Sequence, residues 1–303
     1  MPYANSTAFA RQMRAYLSDK SRRLPAKTVT MYRQWLEDSG ERLGWPNPAK
    51  ISLRQMESLE AEYMAIYAQC TVTEKMSILR DMLRTIGNKD ALRYKMICSM
   101  QPAKDSVFLT EEQIARLRLL ARRRSNVHEL IYSFMVDNGL RPVDIDRLTV
   151  SNSRELLDLG ESMILGKGRN GGKVAKLVLS PMTRAPLIKY LEARAKFPGA
   201  SEDQHLMLHV FQRKTIWMSH NYIWLRVKEV FADASMDAKC RDLRKTCGNR
   251  VYRLTRDVAM SAMILRHSSP GTTFRHYIGA DSVEMRDVQA RLAKIPESLS
   301  QEE

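Results

Sequence analysis

Apolar side chains recur every three or four residues through most of this chain, a spacing that predicts helices. In the first hundred residues, 6–17 carries apolar and aromatic side chains at that spacing. Pro25 then opens 27–43, where Val29, Tyr32, Trp35 and Leu36 share one face. The cluster from Gly44 to Pro48 breaks the pattern. Two more amphipathic stretches follow, 53–68 and 72–86. Gly87 and Asn88 stop the second, and 90–99 predicts a further short helix. These elements make a compact all-helical unit with basic residues scattered over its outer faces.

Residues 101–107 contain Pro102 and little periodicity, and read as a linker. Thr110 with Gln113 three positions on forms a capping box, so a new domain starts there. The expected division is therefore 1–100, a linker at 101–108, and a second domain over 109–303. In the second domain, 114–122 and 127–138 predict helices, and Gly139 ends the latter. Residues 162–165 and 173–179 are short, apolar and partly β-branched, with Gly166, Gly168, Gly171 and Gly172 between them. That pattern predicts a β-hairpin with a glycine-rich basic tip. Helical spacing resumes over 182–196, 221–234, 243–253, 257–265 and 281–293. The expected fold class is mainly α with a small antiparallel β-sheet (α+β).

Composition narrows the class. At 303 residues with 44% apolar content, the chain has material for two domains with real cores. It holds no apolar run of membrane-spanning length, and its start, Met-Pro-Tyr-Ala-Asn-Ser, lacks the pattern of a secretory signal. The four cysteines form no C-x-x-C pair and no metal-ligand spacing, which reads as reduced thiols in a cytoplasmic protein. No metal and no other cofactor is expected. The net charge of +15 favours a polyanionic partner. Residues 1–105 hold 17 basic and 11 acidic side chains and the remainder 32 and 23, so both domains are basic. Two basic domains can grip one duplex; the plain alternative is a solvated basic surface.

Candidate chemistry lies in four places. Arg141 follows the Gly139 helix stop, and Pro142 disfavours helical geometry at it. Arg141 therefore sits at a helix-to-helix corner, with Asp144 close enough to orient it. Lys167 stands at the hairpin tip, where an ammonium can enter a DNA groove and give a proton to a leaving oxygen. Lys173, across the tip, competes for that role. Arg241 and Arg244 lie at the predicted start of a helix, where backbone N–H groups favour an anion, and Arg244 is expected in its first turn. His267 follows the helix 257–265, Tyr277 comes ten residues later, and His276 adjoins it. Taken singly, each has an ordinary reading as a helix end, a turn lysine, a cap or a core residue.

Together they resemble the tyrosine recombinase (phage integrase) family. Gly139-Leu140-Arg141 with Asp144 matches its first arginine box, and Leu165-Gly166-Lys167-Gly168 its hairpin lysine. Asp242-Leu243-Arg244-Lys245-Thr246 matches the core of its H-x-L-R-x-T box. Arg266-His267-Ser268-Ser269, followed by Thr272-Thr273 and Tyr277, matches its L-G-H-S…T-T…Y segment. The first hundred residues resemble the family's core-binding domain without a sharp motif. Two departures stand out. Arg241 occupies the position where the second box usually has histidine, and arginine cannot act as a base. The histidine-to-tyrosine spacing is one residue longer than usual, an excess that Gly271 is placed to absorb.

The resemblance implies a site-specific recombinase acting through a 3′-phosphotyrosine intermediate, without ATP. In that scheme Tyr277 attacks, Arg141, Arg244 and Arg241 neutralise the phosphate, Lys167 protonates the 5′-hydroxyl and His267 hydrogen-bonds a non-bridging oxygen, with Asp144 and His276 in support. It also implies two domains clamped on double-stranded DNA and a homo-tetramer, monomeric when free, whose 281–293 helix docks on a neighbour; packing on its own domain is the alternative for that helix. Two other readings share the residues: a topoisomerase or resolvase with the same chemistry, and a DNA-binding relative in which Arg241 marks reduced activity. The absence of an arm-binding segment before the first helical unit leads us to expect a simple recombinase.

Overall fold

The computed structural model describes residues 7–96, 107–168 and 172–277. The chain divides into two compact units, residues 1–103 with 168–171 and residues 104–167 with 172–303. The expected helix 281–293, most of the expected linker, and residues 97–99 of the expected helix 90–99 lie outside the described residues.

The first unit is helical, as its spacing predicts: α1 (Ala8–Ser21), α2 (Ala26–Arg42), α3 (Leu53–Ile66), α4 (Gln69–Thr85) and the short α5 (Lys89–Arg93). Thr7 caps α1 by accepting from the Ala10 N–H, and Ser52 with Gln55 forms a capping box on α3. Phe9, Leu36, Met56, Tyr63, Leu79 and Met82 fill the core. A single turn of 3-10 helix, Pro48–Lys50, occupies the breaker cluster. Asn88 pins it by donating to the carbonyls of Pro48 at 2.8 Å and Ile51 at 2.9 Å.

The second unit begins at α6 (Glu111–Arg124), where the Thr110–Gln113 capping box forms. α7 (Asn126–Val136) is buried all round, with Leu130, Ile131, Phe134, Met135 and Val136 inaccessible to solvent. A helix apolar on every side belongs in the middle of a core. α6, α10 (Pro181–Arg194), α11 (His220–Asp233) and α12 (Cys240–Thr255) surround it. α8 (Pro142–Asp146) and α9 (Val150–Asp158) lead into the antiparallel hairpin of β1 (Glu161–Gly166) and β2 (Lys173–Val178), whose register pairs Gly166 with Lys173. A second antiparallel pair, β3 (Leu208–Phe211) and β4 (Lys214–Trp217), precedes α11. α13 (Val258–Ile264) and α14 (Pro270–Tyr277) end the described chain. The fold is therefore mainly α with two small antiparallel sheets.

Several elements depart from expectation. α9, the β3–β4 hairpin and α14 appear where the sequence pattern was silent. α12 starts at Cys240, three residues before the expected 243. Gly271, the residue placed to absorb the extra spacing, lies inside the first turn of α14 and not in a loop.

Candidate active site

The site is built around one sharp corner between α7 and α8. Gly139, three residues past the end of α7, lies in the left-handed region at φ +60°, a conformation that favours glycine. A side chain there would also collide, because a Cβ would lie 2.7 Å from Leu265 Cδ2 and 3.2 Å from Cys247 Sγ. α13 and α12 thus press on the corner from the other side. Two residues later Arg141 is extended and caps α8, with Pro142 as the first helical residue.

Asp144 organises this corner. It is 1% exposed, and one carboxylate oxygen accepts from the Arg141 backbone N–H at 3.0 Å. Arg141 Nη1 lies 3.8 Å from that same oxygen. The other oxygen accepts from the Lys167 backbone N–H at 3.0 Å. One buried carboxylate therefore ties the arginine corner to the neck of the β1–β2 hairpin. Lys167 follows β1 directly and its side chain is exposed; Lys173 opens β2 and is exposed as well.

Arg244 comes from α12. With the helix starting at Cys240, Arg244 lies in the second turn and not the first, and it is buried. Asp242, not Arg244, occupies the first turn, where its carboxylate accepts from the Lys239 N–H at 2.8 Å. Arg244 donates through Nη1 to the Gly139 carbonyl and through Nη2 to the Leu265 carbonyl. Its fork thereby bridges the α7–α8 corner and the end of α13. Thr246 anchors the same helix, donating to the Asp242 carbonyl at 2.7 Å and accepting from the Leu109 N–H at 3.0 Å.

His267 follows α13, and its Nδ1 lies 2.8 Å from the hydroxyl of Thr273, which is fully buried in α14. Thr273 thus holds the histidine ring, a role sequence reasoning missed. Tyr277 is the last residue of α14, one helix beyond His267. The side chains of His276 and Tyr277 lie outside the described residues.

Asp144 therefore ties Arg141 to the backbone of Lys167, and Arg244 ties the same corner to Leu265, two residues before His267. Arg241 stands apart from these bonds. It is exposed on the first turn of α12 and makes no hydrogen bond or ion pair among the described residues.

A further arginine joins the cluster. Arg266 adopts φ +55°, a left-handed conformation that a non-glycine residue enters at a cost. Its Nη2 donates to the carbonyls of Asn138 at 3.2 Å and Gly139 at 3.1 Å, and its Nη1 to Ile264 at 2.9 Å. Burial, then repulsion from Arg244, lowers its pKa to about 10, with Asp144 pulling the other way and Arg141 adding to the repulsion. Arg141 and Arg266 thus both feel the Asp144 carboxylate while Arg244 adds a further positive charge beside Arg266, and the surplus positive charge suits an anion. The motif position that holds Arg266 was visible in sequence, but its backbone conformation was not.

A mainly helical unit with this corner, hairpin and arginine cluster defines a class: the chain has the fold of the tyrosine recombinases. Among curated proteins it is similar to "Probable integrase/recombinase YoeC" of Bacillus subtilis (strain 168), 26% identical over 170 residues, which span 56% of this chain and 87% of that protein. No protein-family model matches the chain. Among solved structures it resembles the Tn1549 transposon integrase (residues 82–397) in complex with circular intermediate DNA, with a TM-score of 0.72 at 14% identity, covering 94% of this chain and 99% of that one. It also resembles the XerH site-specific recombinase bound to palindromic difH substrate, with a TM-score of 0.69 at 15% identity, covering 88% and 80%.

Proposed function

We propose that this protein is a site-specific DNA recombinase that cleaves and rejoins duplex DNA through a covalent phosphotyrosine. The observation that carries the reading is the corner where Asp144 ties Arg141 to the backbone of Lys167 and Arg244 reaches Leu265, two residues before His267, with Tyr277 at the end of the next helix. The curated relative and the solved structures similar to this chain are named as recombinases and integrases, and the XerH and Tn1549 structures hold DNA.

In this scheme Arg141 and Arg244 hold the scissile phosphate, and their charge counts for more as negative charge builds in the transition state. Arg266 adds a third guanidinium. The Tyr277 hydroxyl gives up its proton to water, and its oxygen forms a bond to phosphorus while the bond from phosphorus to the 5′-oxygen breaks. Lys167 gives that oxygen its proton, and His267 hydrogen-bonds a non-bridging oxygen. Attack by another 5′-hydroxyl reverses the step, so the phosphodiester energy is kept and ATP is not consumed. The basic charge of both units supplies non-specific attraction to the duplex. The first unit acts as the core-binding domain, and strand exchange takes place in a homo-tetramer.

The test is covalent trapping. Sheared, nicked genomic DNA from the source organism is incubated with the protein, the protein is denatured, and DNA that stays attached is sequenced. Wild-type protein should retain a defined sequence, and Tyr277→Phe should retain none. No retained DNA with the wild type sinks the proposal. A second reading, a DNA-binding relative that does not cleave, is favoured by one observation, the exposed Arg241 at the usual histidine position. Specific binding without any covalent product would select it. Relaxation of supercoils without strand exchange would select a topoisomerase-like activity.

A further inference from the structure

α8 ends at Asp146, and Arg147 caps it in helical conformation. Asp144 and Arg147 are three residues apart, so they point from one face of the helix end. Both reach the neck of the β1–β2 hairpin. Arg147 Nη1 donates to the Gly166 carbonyl at 2.8 Å, and Asp144 accepts from the Lys167 N–H at 3.0 Å. These are the two poles of a single peptide unit. A peptide is planar, so holding its carbonyl and its N–H from one helix end fixes the plane. That in turn fixes the place of the Lys167 Cα, the atom from which the side chain leaves the backbone.

Gly166 and Lys173 form the last rung of the ladder, and Lys167 is the first residue beyond it. The glycines that follow add no stiffness. The Arg147 head is packed into the neck instead: a Cβ on Gly172 would lie 2.6 Å from Arg147 Nη1 and 2.6 Å from the Gly166 carbonyl oxygen. Gly172 has φ +140°, and its lack of a side chain makes room for the guanidinium.

We infer that Arg147 is a positioning residue for proton donation by Lys167. The inference rests on the reading of this protein as a phosphotyrosine-forming recombinase. Arg147 touches no reacting atom; it acts by placing the lysine that protonates the 5′-oxygen. A misplaced proton donor slows the step by about 10- to 100-fold.

The experiment uses a nicked duplex built on the sequence that the wild-type protein retains. One version has the natural 5′-bridging oxygen and the other has sulfur at that atom. In both, the Tyr277 oxygen bonds to phosphorus and the bond to the bridging atom breaks. Oxygen must take a proton as it leaves. Sulfur leaves as a thiolate, whose conjugate acid titrates near that of a cysteine, about 8.5, and needs no proton. Arg147→Ala and Lys167→Ala should both form the covalent complex slowly on the oxygen duplex, and at the wild-type rate on the sulfur duplex. Arg147→Lys keeps a donor for the Gly166 carbonyl; it should be slowed less on oxygen, and it keeps the test alive if the alanine variant does not fold. The inference is overturned if Arg147→Ala is not slowed on oxygen, or is equally slow on both duplexes, or if Lys167→Ala is not restored by sulfur. Failure of the wild type to react on either duplex would instead overturn the recombinase reading.

Discussion

Replacing Gly139 by alanine tests whether the corner between α7 and α8 carries the site. Two costs add. The first is the left-handed backbone at φ +60°, worth about 1–2 kcal/mol for a residue with a side chain. The second is overlap, since the new Cβ would lie 2.7 Å from Leu265 Cδ2 and 3.2 Å from Cys247 Sγ, and overpacking of this kind costs about 1–3 kcal/mol. The reduced freedom of the unfolded chain returns about 0.4–1 kcal/mol. The net loss is about 1–4.5 kcal/mol. Gly160→Ala is the control, because Gly160 has φ +77° but nothing within 4 Å of its would-be Cβ. It should lose only the backbone part, so the difference between the two variants measures the overlap. Stability is read by urea unfolding of the full chain, with amide hydrogen exchange in α7 and α12 reporting this unit. Function should fall as well. The Gly139 carbonyl accepts from Arg244 and Arg266, and Leu265, which the new methyl would push, supplies the other carbonyl that holds Arg244. Displacing that fork by about 1 Å costs roughly a hundredfold in covalent-complex formation. If Gly139→Ala matches Gly160→Ala in stability and the wild type in rate, the corner does not govern the site.

Asp144→Asn keeps the shape of the side chain but turns one acceptor into a donor facing an N–H group, so it should cost about 1–3 kcal/mol in urea unfolding and slow covalent-complex formation; unchanged stability would refute the organising role. A thiol reagent at about pH 8 should label exposed Cys70 and spare Cys240 and Cys247, whose thiols burial pushes up to about 12 and about 11; mass mapping of native protein that finds Cys247 labelled as fast as Cys70 would contradict this. In the first unit, burial raises the Asp38 carboxyl, but hydrogen bonds from Lys75 at 2.5 Å, from Tyr63 and from Arg42 outweigh it and hold its pKa below the ordinary value. A group depressed in the folded state stabilises above its ordinary pKa of about 4 and loses that contribution as pH falls further, so Asp38→Asn should flatten the acid dependence of this unit's unfolding; an unaltered pH profile would count against it.

What the sequence made legible follows from how each element is encoded. The Thr110–Gln113 box is a local signal and formed where it was read, and the helix read over 127–138 formed as Asn126–Val136. The β1–β2 hairpin was legible because glycines crowd its tip. The β3–β4 hairpin was not, because its two turn residues, Gln212 and Arg213, adopt φ +48° and +63° without the usual Asn-Gly signature. α14 was hidden by Pro270-Gly271, a pair that reads as a turn, although proline is well suited to a first helical position. α9 is short and rich in serine and asparagine, so its own propensity is weak and its Thr149–Asn152 capping box does much to start it.

The candidate site divides the same way. The kinds of residue and their order were legible, since Arg141, Lys167, Arg244, His267 and Tyr277 stand in recognisable local contexts. Their supports were not, because they are contacts across sequence. Thr273 holds His267 from the next helix, and the Gly139 carbonyl gathers Arg244 from 105 residues away and Arg266 from 127. The same contacts change the meaning of the second box. Read along the chain, Arg241 and Arg244 look like one paired clamp at a helix start. In the fold, Arg244 is buried and turns inward to the corner while Arg241, one turn earlier on α12, is exposed. The arginine that joins Arg244 is Arg266, held at a backbone conformation that only tertiary bonds sustain. The corner thus gathers its third guanidinium from the segment that carries His267, while Arg241 stands exposed on the first turn of α12.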